Sequence, residues 1–245
     1  MTSATDAKLE IVADSEALAN RVADWLLALA AAKRGVFSVS LSGGSTPRRL
    51  YERLAQPLFR DRFPWSRAHW FWGDERFVPH DDARSNYRMV REALLSRAPI
   101  PAGNVHPIAF GADPRAAAQA YERELQSFYG AQRLDPVRPL FDVTLLGLGP
   151  DGHTASLFPN TRALTEREHW VAAVVDVKEP RITLTYPSLA SSGQVAFLVS
   201  GGEKRAIFAR FRRGDEALPA ARLEPIGALH IFADAAAAGE ASTLG

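Results

Sequence analysis

Short apolar runs rich in Val, Ile, Leu and Phe alternate along the chain with longer stretches whose apolar positions recur at helical spacing. The runs "KLEIVA", "VFSVSLSGG", "AHWFWGDE", "FDVTLLGLG", "WVAAVVDV", "RITLTYP", "QVAFLVSGG" and "ALHIFAD" read as strands. Between them, "DSEALANRVADWLLALAAAKRG" opens on an Asp or Ser cap and closes at Gly35, as a helix does. "STPRRLYERLAQ" has a capping hydroxyl and a first-turn proline. "SNYRMVREALLSR", "DPRAAAQAYERELQSFYG" (starting at Asp113) and "EKRAIFARFRRG" are further helices, and "AAAAGEASTLG" reads as a loose tail. Several strands are apolar almost without interruption, the pattern of strands covered on both faces. The expected fold is therefore α/β, a largely parallel sheet with helices on both faces. No repeat, low-complexity linker or break in composition divides the chain, so residues 1–245 are expected to form a single domain.

The placement of the glycines sharpens this picture. "SLSGG", "FWGDE", "LLGLG" and "LVSGG" each put glycine at the carboxyl end of an apolar strand. Ligands of open α/β sheets bind outside those ends. Four segments distant in sequence should therefore meet at one rim.

Composition narrows the chemistry. Hydrophobic residues make up 47% and charged residues 23% of 245 residues, proportions of an ordinary globular chain. The formal net charge is +1 with no long block of one sign, which gives no reason to expect a nucleic-acid partner. Without cysteine, disulfides, thiol nucleophiles and thiolate metal sites are excluded. "MTSATDAKLEIV" lacks the basic-then-apolar pattern of a secretory signal. The most apolar stretch, "ALANRVADWLLALAAA", is interrupted by Arg21 and Asp24. A soluble, cytoplasmic protein without membrane association is expected.

Three rim segments carry plausible binding chemistry. In "SLSGGSTPRRLY", Gly43 and Gly44 permit a tight turn, Ser45 and Thr46 offer hydroxyls, and the following helix start exposes free N–H groups. That combination suits an anion, above all a phosphate, although the Walker pattern is absent and a merely capped turn is the plainer alternative. In "LVSGGEKRA", Lys204 falls in a first helical turn, where the dipole disfavours a cation unless an anion lies nearby. "HWFWGDERFVPHDDARSNYRMV" places Asp74 to orient a base or take a proton, and Arg76 to grip a phosphate or polarise a carbonyl. His80, Asp81 and Asp82 would make a metal set, but adjacent aspartates before "SNYRMVREALL" also start a helix, the reading adopted here.

The fourth segment, "GLGPDGHTASLFP", fits G-x-G-x-x-G, with Asp176 as a passable downstream acid. Pro159 follows Gly152 too closely for a long helix, and Pro150 removes a backbone donor, so the dinucleotide match is taken as accidental. His153 then stands out: a histidine after a glycine turn at a strand end is a natural base at neutral pH. Asp151 or Asp74 would fix its tautomer; the bland alternative is a histidine capping its own turn. G-x-S-x-G and H-E-x-x-H are missing, and nothing marks a nucleophilic serine, so water activated by His153 needs the fewest assumptions.

Taken in order, "LSGGSTPRRLY", "WFWGDERFVPHDDARSNYRMV", "FDVTLLGLGPDGHTASLFP", "RITLTYPSL" and "LVSGGEKRA" resemble the 6-phosphogluconolactonases over most of the chain. The resemblance implies a modified Rossmann-like fold, shared with the glucosamine-6-phosphate deaminases. It implies hydrolysis of 6-phospho-D-glucono-1,5-lactone to 6-phospho-D-gluconate in the oxidative pentose phosphate pathway, with no cofactor and no obligatory metal. His153 would be the general base, and Arg76 and Lys204 would hold the phosphate or the lactone. Ser45, Thr46 and the Gly43–Gly44 amides would contribute, with Arg181 a further binding candidate. Deaminases of this group place a glutamate before the proline of the "DGH" loop; here that position is Phe158. A deaminase-like isomerase, a non-catalytic sugar-phosphate sensor and a dinucleotide oxidoreductase are the rival readings. A sensor would need a DNA-binding segment, for which the strand and helix at the start of this chain leave no room. A monomer or weak homo-oligomer is expected.

Overall fold

The computed structural model describes residues 4–239. Its strands are β1 (Lys8–Val12), β2 (Phe37–Leu41), β3 (Ala68–Trp72), β4 (Asp74–Arg76), β5 (Val105–His106), β6 (Phe141–Gly147), β7 (Val171–Val174), β8 (Arg181–Leu184), β9 (Ser192–Val199) and β10 (Ala228–Asp234). The helices are α1 (Ser15–Ala32), α2 (Ser45–Leu54), α3 (Pro57–Arg60), α4 (Asn86–Val90), α5 (Pro114–Tyr129), α6 (Tyr186–Ala190), α7 (Arg205–Arg212) and α8 (Ala235–Ala238).

Seven strands form the main sheet in the order β1-β10-β9-β6-β2-β3-β5, and every neighbouring pair is parallel. Residues 195–199 of β9 (Val, Ala, Phe, Leu, Val) are buried in succession, which requires cover on both faces and explains the unbroken apolar run there. The α1 helix buries Leu18, Val22, Leu26 and Ala30, a stripe at four-residue spacing. Its first turn is closed by Asp14, which accepts from the amides of Glu16 and Ala17 at 3.0 and 2.8 Å. Asp113 caps α5 in the same way, through Arg115 and Ala116. Among the described residues no helix is long and apolar enough to cross a membrane.

The parallel α/β expectation holds for this sheet, but three segments depart from it. "WVAAVVDV" and "RITLTYP" are strands of a separate antiparallel sheet, ordered β4-β8-β7. "AHWFWGDE" is two strands, not one: β3 ends at Trp72 and the chain crosses to the small sheet at Gly73. The Gly73 amide donates to Leu41 O, and its carbonyl accepts from Leu184 N, both at 2.8 Å, so this residue joins the two sheets. The adjacent aspartates do not start α4. Ser85 does, its hydroxyl accepting from Arg88 N at 3.1 Å, while Asp82 pairs with Arg84. The expected loose tail begins as a helix, because Asp234 accepts from Ala237 N and closes the first turn of α8; the rest of that tail lies outside the described residues.

Candidate active site

The carboxyl ends of β2, β6 and β9 meet the small sheet around a cavity of roughly 310 Å³. Gly44, Asp74, Arg76, His153, Arg181 and Lys204 all line it, together with Gly43, Ser45 and Thr46. Of the residues selected from sequence, only Asp151 is not in the wall, and it reaches the cavity through His153.

The loop that carries His153 explains its own glycines. Gly149 N donates to His153 O at 2.8 Å, and Gly152 N to Gly149 O at 3.0 Å. A β-carbon on Gly149 would overlap the His153 ring, so this glycine exists to let the imidazole lie against the backbone. Gly152 turns at φ +82°, a left-handed value, with Leu218 packed where a β-carbon would stand. Neither glycine is needed for a dinucleotide. Asp151 Oδ1 lies 2.5 Å from His153 Nδ1 and also accepts from His153 N at 3.1 Å. A carboxylate only accepts, so Nδ1 carries the proton and Nε2 of the neutral ring is left as the acceptor. Burial pushes the Asp151 carboxyl up, but the hydrogen bonds from His153 outweigh it and hold the group below the ordinary carboxylate value. Asp74, the alternative partner, is engaged elsewhere: its Oδ2 accepts from Ser156 Oγ at 2.6 Å. The Phe158 ring packs 4.4 Å from the imidazole.

Positive charge and free donors gather on both sides. At the start of α2, Gly44 takes the cap position at φ +104° and has no side chain to satisfy the first-turn amides. Lys204 follows β9 after Gly201, whose amide is held by the Asp234 carboxylate at 3.1 and 3.2 Å. Among the described residues Lys204 pairs with no carboxylate. Arg76 and Arg181 are direct cross-strand partners of β4 and β8. Like charges so placed are destabilising, and the Nε atoms of both are buried with no hydrogen-bond partner. Burial, then the charge of Arg76, lowers the pKa of Arg181. An anion between the guanidiniums would relieve both strains. Among the described residues no group of three His, Asp or Glu side chains is placed to hold a metal ion.

Two residues escaped the sequence reading. Glu75 is only 3% exposed, and its carboxylate accepts from the amides of Arg76, Asn86 and Tyr87, each at 2.7 Å, and from Ser85 Oγ at 3.0 Å. Burial raises its pKa despite these donors. Asn86, also 3% exposed, lines the cavity and donates from Nδ2 to Asp74 O at 3.0 Å. The available signal was an acid beside an apolar strand, which must find buried partners.

A parallel sheet whose rim offers anion donors beside a carboxylate-backed imidazole defines an α/β protein equipped to hold an anionic ligand next to a base. The comparisons agree. The family described as "Glucosamine-6-phosphate isomerases/6-phosphogluconolactonase" matches residues 13–231. The 6-phosphogluconolactonase of a Nostoc species is 40% identical over 241 residues, 96% of this chain and 98% of that one. The protein of the same name from Mycobacterium tuberculosis is 41% identical over 226 residues, 87% of this chain and 90% of its own. The crystal structure of 6-phosphogluconolactonase from Thermotoga maritima superposes with a TM-score of 0.78 at 34% identity, covering 93% of this chain and 99% of that one. The chain belongs to the glucosamine-6-phosphate isomerase/6-phosphogluconolactonase family. A monomeric glucosamine-6-phosphate deaminase, TM-score 0.79 at 20% identity over 95% of this chain and 99% of its own, shares the fold.

Proposed function

We propose that His153 activates water in the hydrolysis of 6-phospho-D-glucono-1,5-lactone to 6-phospho-D-gluconate, the step of the oxidative pentose phosphate pathway. The phosphate, remote from the reacting carbon, is anchored by Lys204, the Ser45 and Thr46 hydroxyls and the Gly43–Gly44 amides, and fixes orientation. His153 Nε2 takes a proton from water as the oxygen attacks C1. Arg76, with Arg181 beside it, stabilises the tetrahedral oxyanion. Collapse breaks the bond from C1 to the ring oxygen, which leaves with the proton held by His153 and becomes the C5 hydroxyl. The new carboxylic acid then loses a proton to solvent. Asp151 holds the tautomer and offsets the charge on the imidazolium.

One observation carries this reading: the Asp151–His153 contact of 2.5 Å fixes an imidazole facing the same cavity as Lys204 and the open start of α2. The deaminase alternative lacks its proton relay, since Phe158 offers only an apolar ring beside His153. A cytoplasmic setting and a monomer or weak homo-oligomer go with the proposal, the latter checked by sedimentation. Proton release from freshly generated lactone, corrected for spontaneous opening, tests the reaction. His153→Ala should lower kcat about 10²–10⁴-fold while affinity for 6-phosphogluconate persists. A wild-type rate no faster than spontaneous opening, or an undiminished variant, would overturn it.

A further inference from the structure

The wall between the α2 turn and the small sheet holds a polar group that the mechanism above leaves unused. Asn86 is buried, and its amide orientation is dictated by chemistry: Asp74 O can only accept, so the nitrogen of the side chain must face it. Oδ1 therefore lies on the other side, against Gly43, where a β-carbon would overlap it. No described residue donates a hydrogen bond to Asn86 Oδ1. The side chain is held in place by its surroundings. Glu75 binds the Asn86 amide, Ser85 caps α4, and Tyr87 N donates to the same carboxylate. A fixed acceptor thus borders the cavity beside the proposed phosphate turn.

We infer that Asn86 Oδ1 accepts a hydrogen bond from one ring hydroxyl of the sugar lactone and makes the site selective for a hydroxylated substrate. The inference rests on the lactonase reading. Elimination assigns the partner: the phosphate oxygens, the lactone carbonyl and the ring oxygen are all acceptors, which leaves the hydroxyls as the donors on that ligand. The glycine at position 43 fits the same account, since any side chain there would displace the amide. Asn86 is on this view a specificity residue, and Glu75 positions it.

The test uses the 6-phospho-lactones that lack the hydroxyl at C2, C3 or C4, generated by oxidation of the corresponding deoxyglucose 6-phosphates. Wild-type kcat/KM should drop for one of the three relative to the parent lactone, by about 3- to 10-fold for a single neutral hydrogen bond. In Asn86→Ala, and in Asn86→Ser as a second variant, that ratio should fall to near unity. Because it compares substrates on one enzyme sample, the ratio does not depend on the fraction folded. Affinities for the matching 6-phospho-sugar acids, by calorimetry, give the same ratio without turnover. Discrimination unchanged in both variants, or absent in an active wild type, would overturn the assignment. A wild type that hydrolyses none of the lactones but binds the acids with the expected ratio would strike the lactonase reading and leave the Asn86 contact standing.

Discussion

Replacing Gly149 and Gly152 one at a time by alanine separates chemistry from scaffold within a single loop. A β-carbon on Gly149 overlaps three atoms of the His153 ring: Nδ1, Cγ and Cε1. Spinning the ring in place therefore gives no relief; it must withdraw by more than about 1 Å to regain a normal contact of about 3.5 Å. Withdrawal also breaks the 2.5 Å bond to Asp151. A misplacement of about 1 Å costs about 10²-fold in rate, or about 2.7 kcal/mol of barrier. Gly149 is not in the left-handed region, so its stability cost is confined to displacing the partly exposed ring, about 1–3 kcal/mol.

Gly152→Ala should behave in the opposite way. Its φ of +82° costs a side-chain-bearing residue about 1–2 kcal/mol. The overlap with Leu218 adds about 1–3 kcal/mol. Together they should lower Tm by about 4–20 °C, at about 2–4 °C per kcal/mol, with turnover of the folded enzyme little changed. The assays are proton release at 20 °C (about the temperature of maximum stability) and thermal unfolding followed by circular dichroism. A Gly149→Ala enzyme that keeps turnover within about threefold of wild type would refute the reasoning, because the imidazole would not be needed where it lies.

The other expectations concern charge and strain. Lys204→Ala should raise KM with kcat nearly constant, and should remove most of the thermal stabilisation, about 2.7 kcal/mol at 100 times Kd, that 6-phosphogluconate gives the wild type; equal melting shifts in both would place the phosphate elsewhere. The Asp151 carboxyl is depressed below its ordinary 3.8 in the folded protein, so its stabilisation is complete above that value and lost as pH falls through the folded one. Asp151→Asn should therefore show a shallower loss of stability below about pH 4, read from urea midpoints across pH, and a reduced kcat at neutral pH. Ala155 sits at φ +47° without being glycine; Ala155→Gly should raise stability by less than about 1 kcal/mol, and a clear loss in urea unfolding would show that this turn is unstrained.

Much of the rim was legible because backbone chemistry announces it. Gly43, Gly44, Gly149, Gly152 and Gly201 mark turns, and their position after apolar runs says which end of the sheet they occupy. His153 could be singled out once Pro159 ruled out a long helix, but the choice between Asp151 and Asp74 could not be made. That choice depends on where Ser156 sends its hydroxyl, a tertiary contact with Asp74 across 82 positions of sequence. The split of "AHWFWGDE" was hidden for a similar reason. Gly73 looks like a strand end, yet only the hydrogen bonds to Leu41 and Leu184 reveal that it passes the chain from one sheet to another. Glu75 and Asn86 were passed over because a buried carboxylate and a buried amide resemble surface residues until their donors are known. The aspartate cap before α4 failed by three positions: Ser85 has the right distance to Arg88 N, and Asp82 is taken by Arg84.

The crossing at Gly73 has a consequence for how such a site can change. His153 and Lys204 hang from the large parallel sheet, whereas Arg76 and Arg181 belong to the three-stranded one. Gly73 is one stitch between the two sheets. Ser156 is another, its amide donating to Thr183 Oγ1 of β8 at 3.2 Å and its hydroxyl to Asp74 of β4 at 2.6 Å. A tilt of the small sheet that moves both guanidiniums therefore also pulls on the loop that bears the imidazole. Packing changes beneath β7 and β8, remote from the cavity, would shift the guanidinium pair and the imidazole in concert, which couples the two walls of the site through the small sheet.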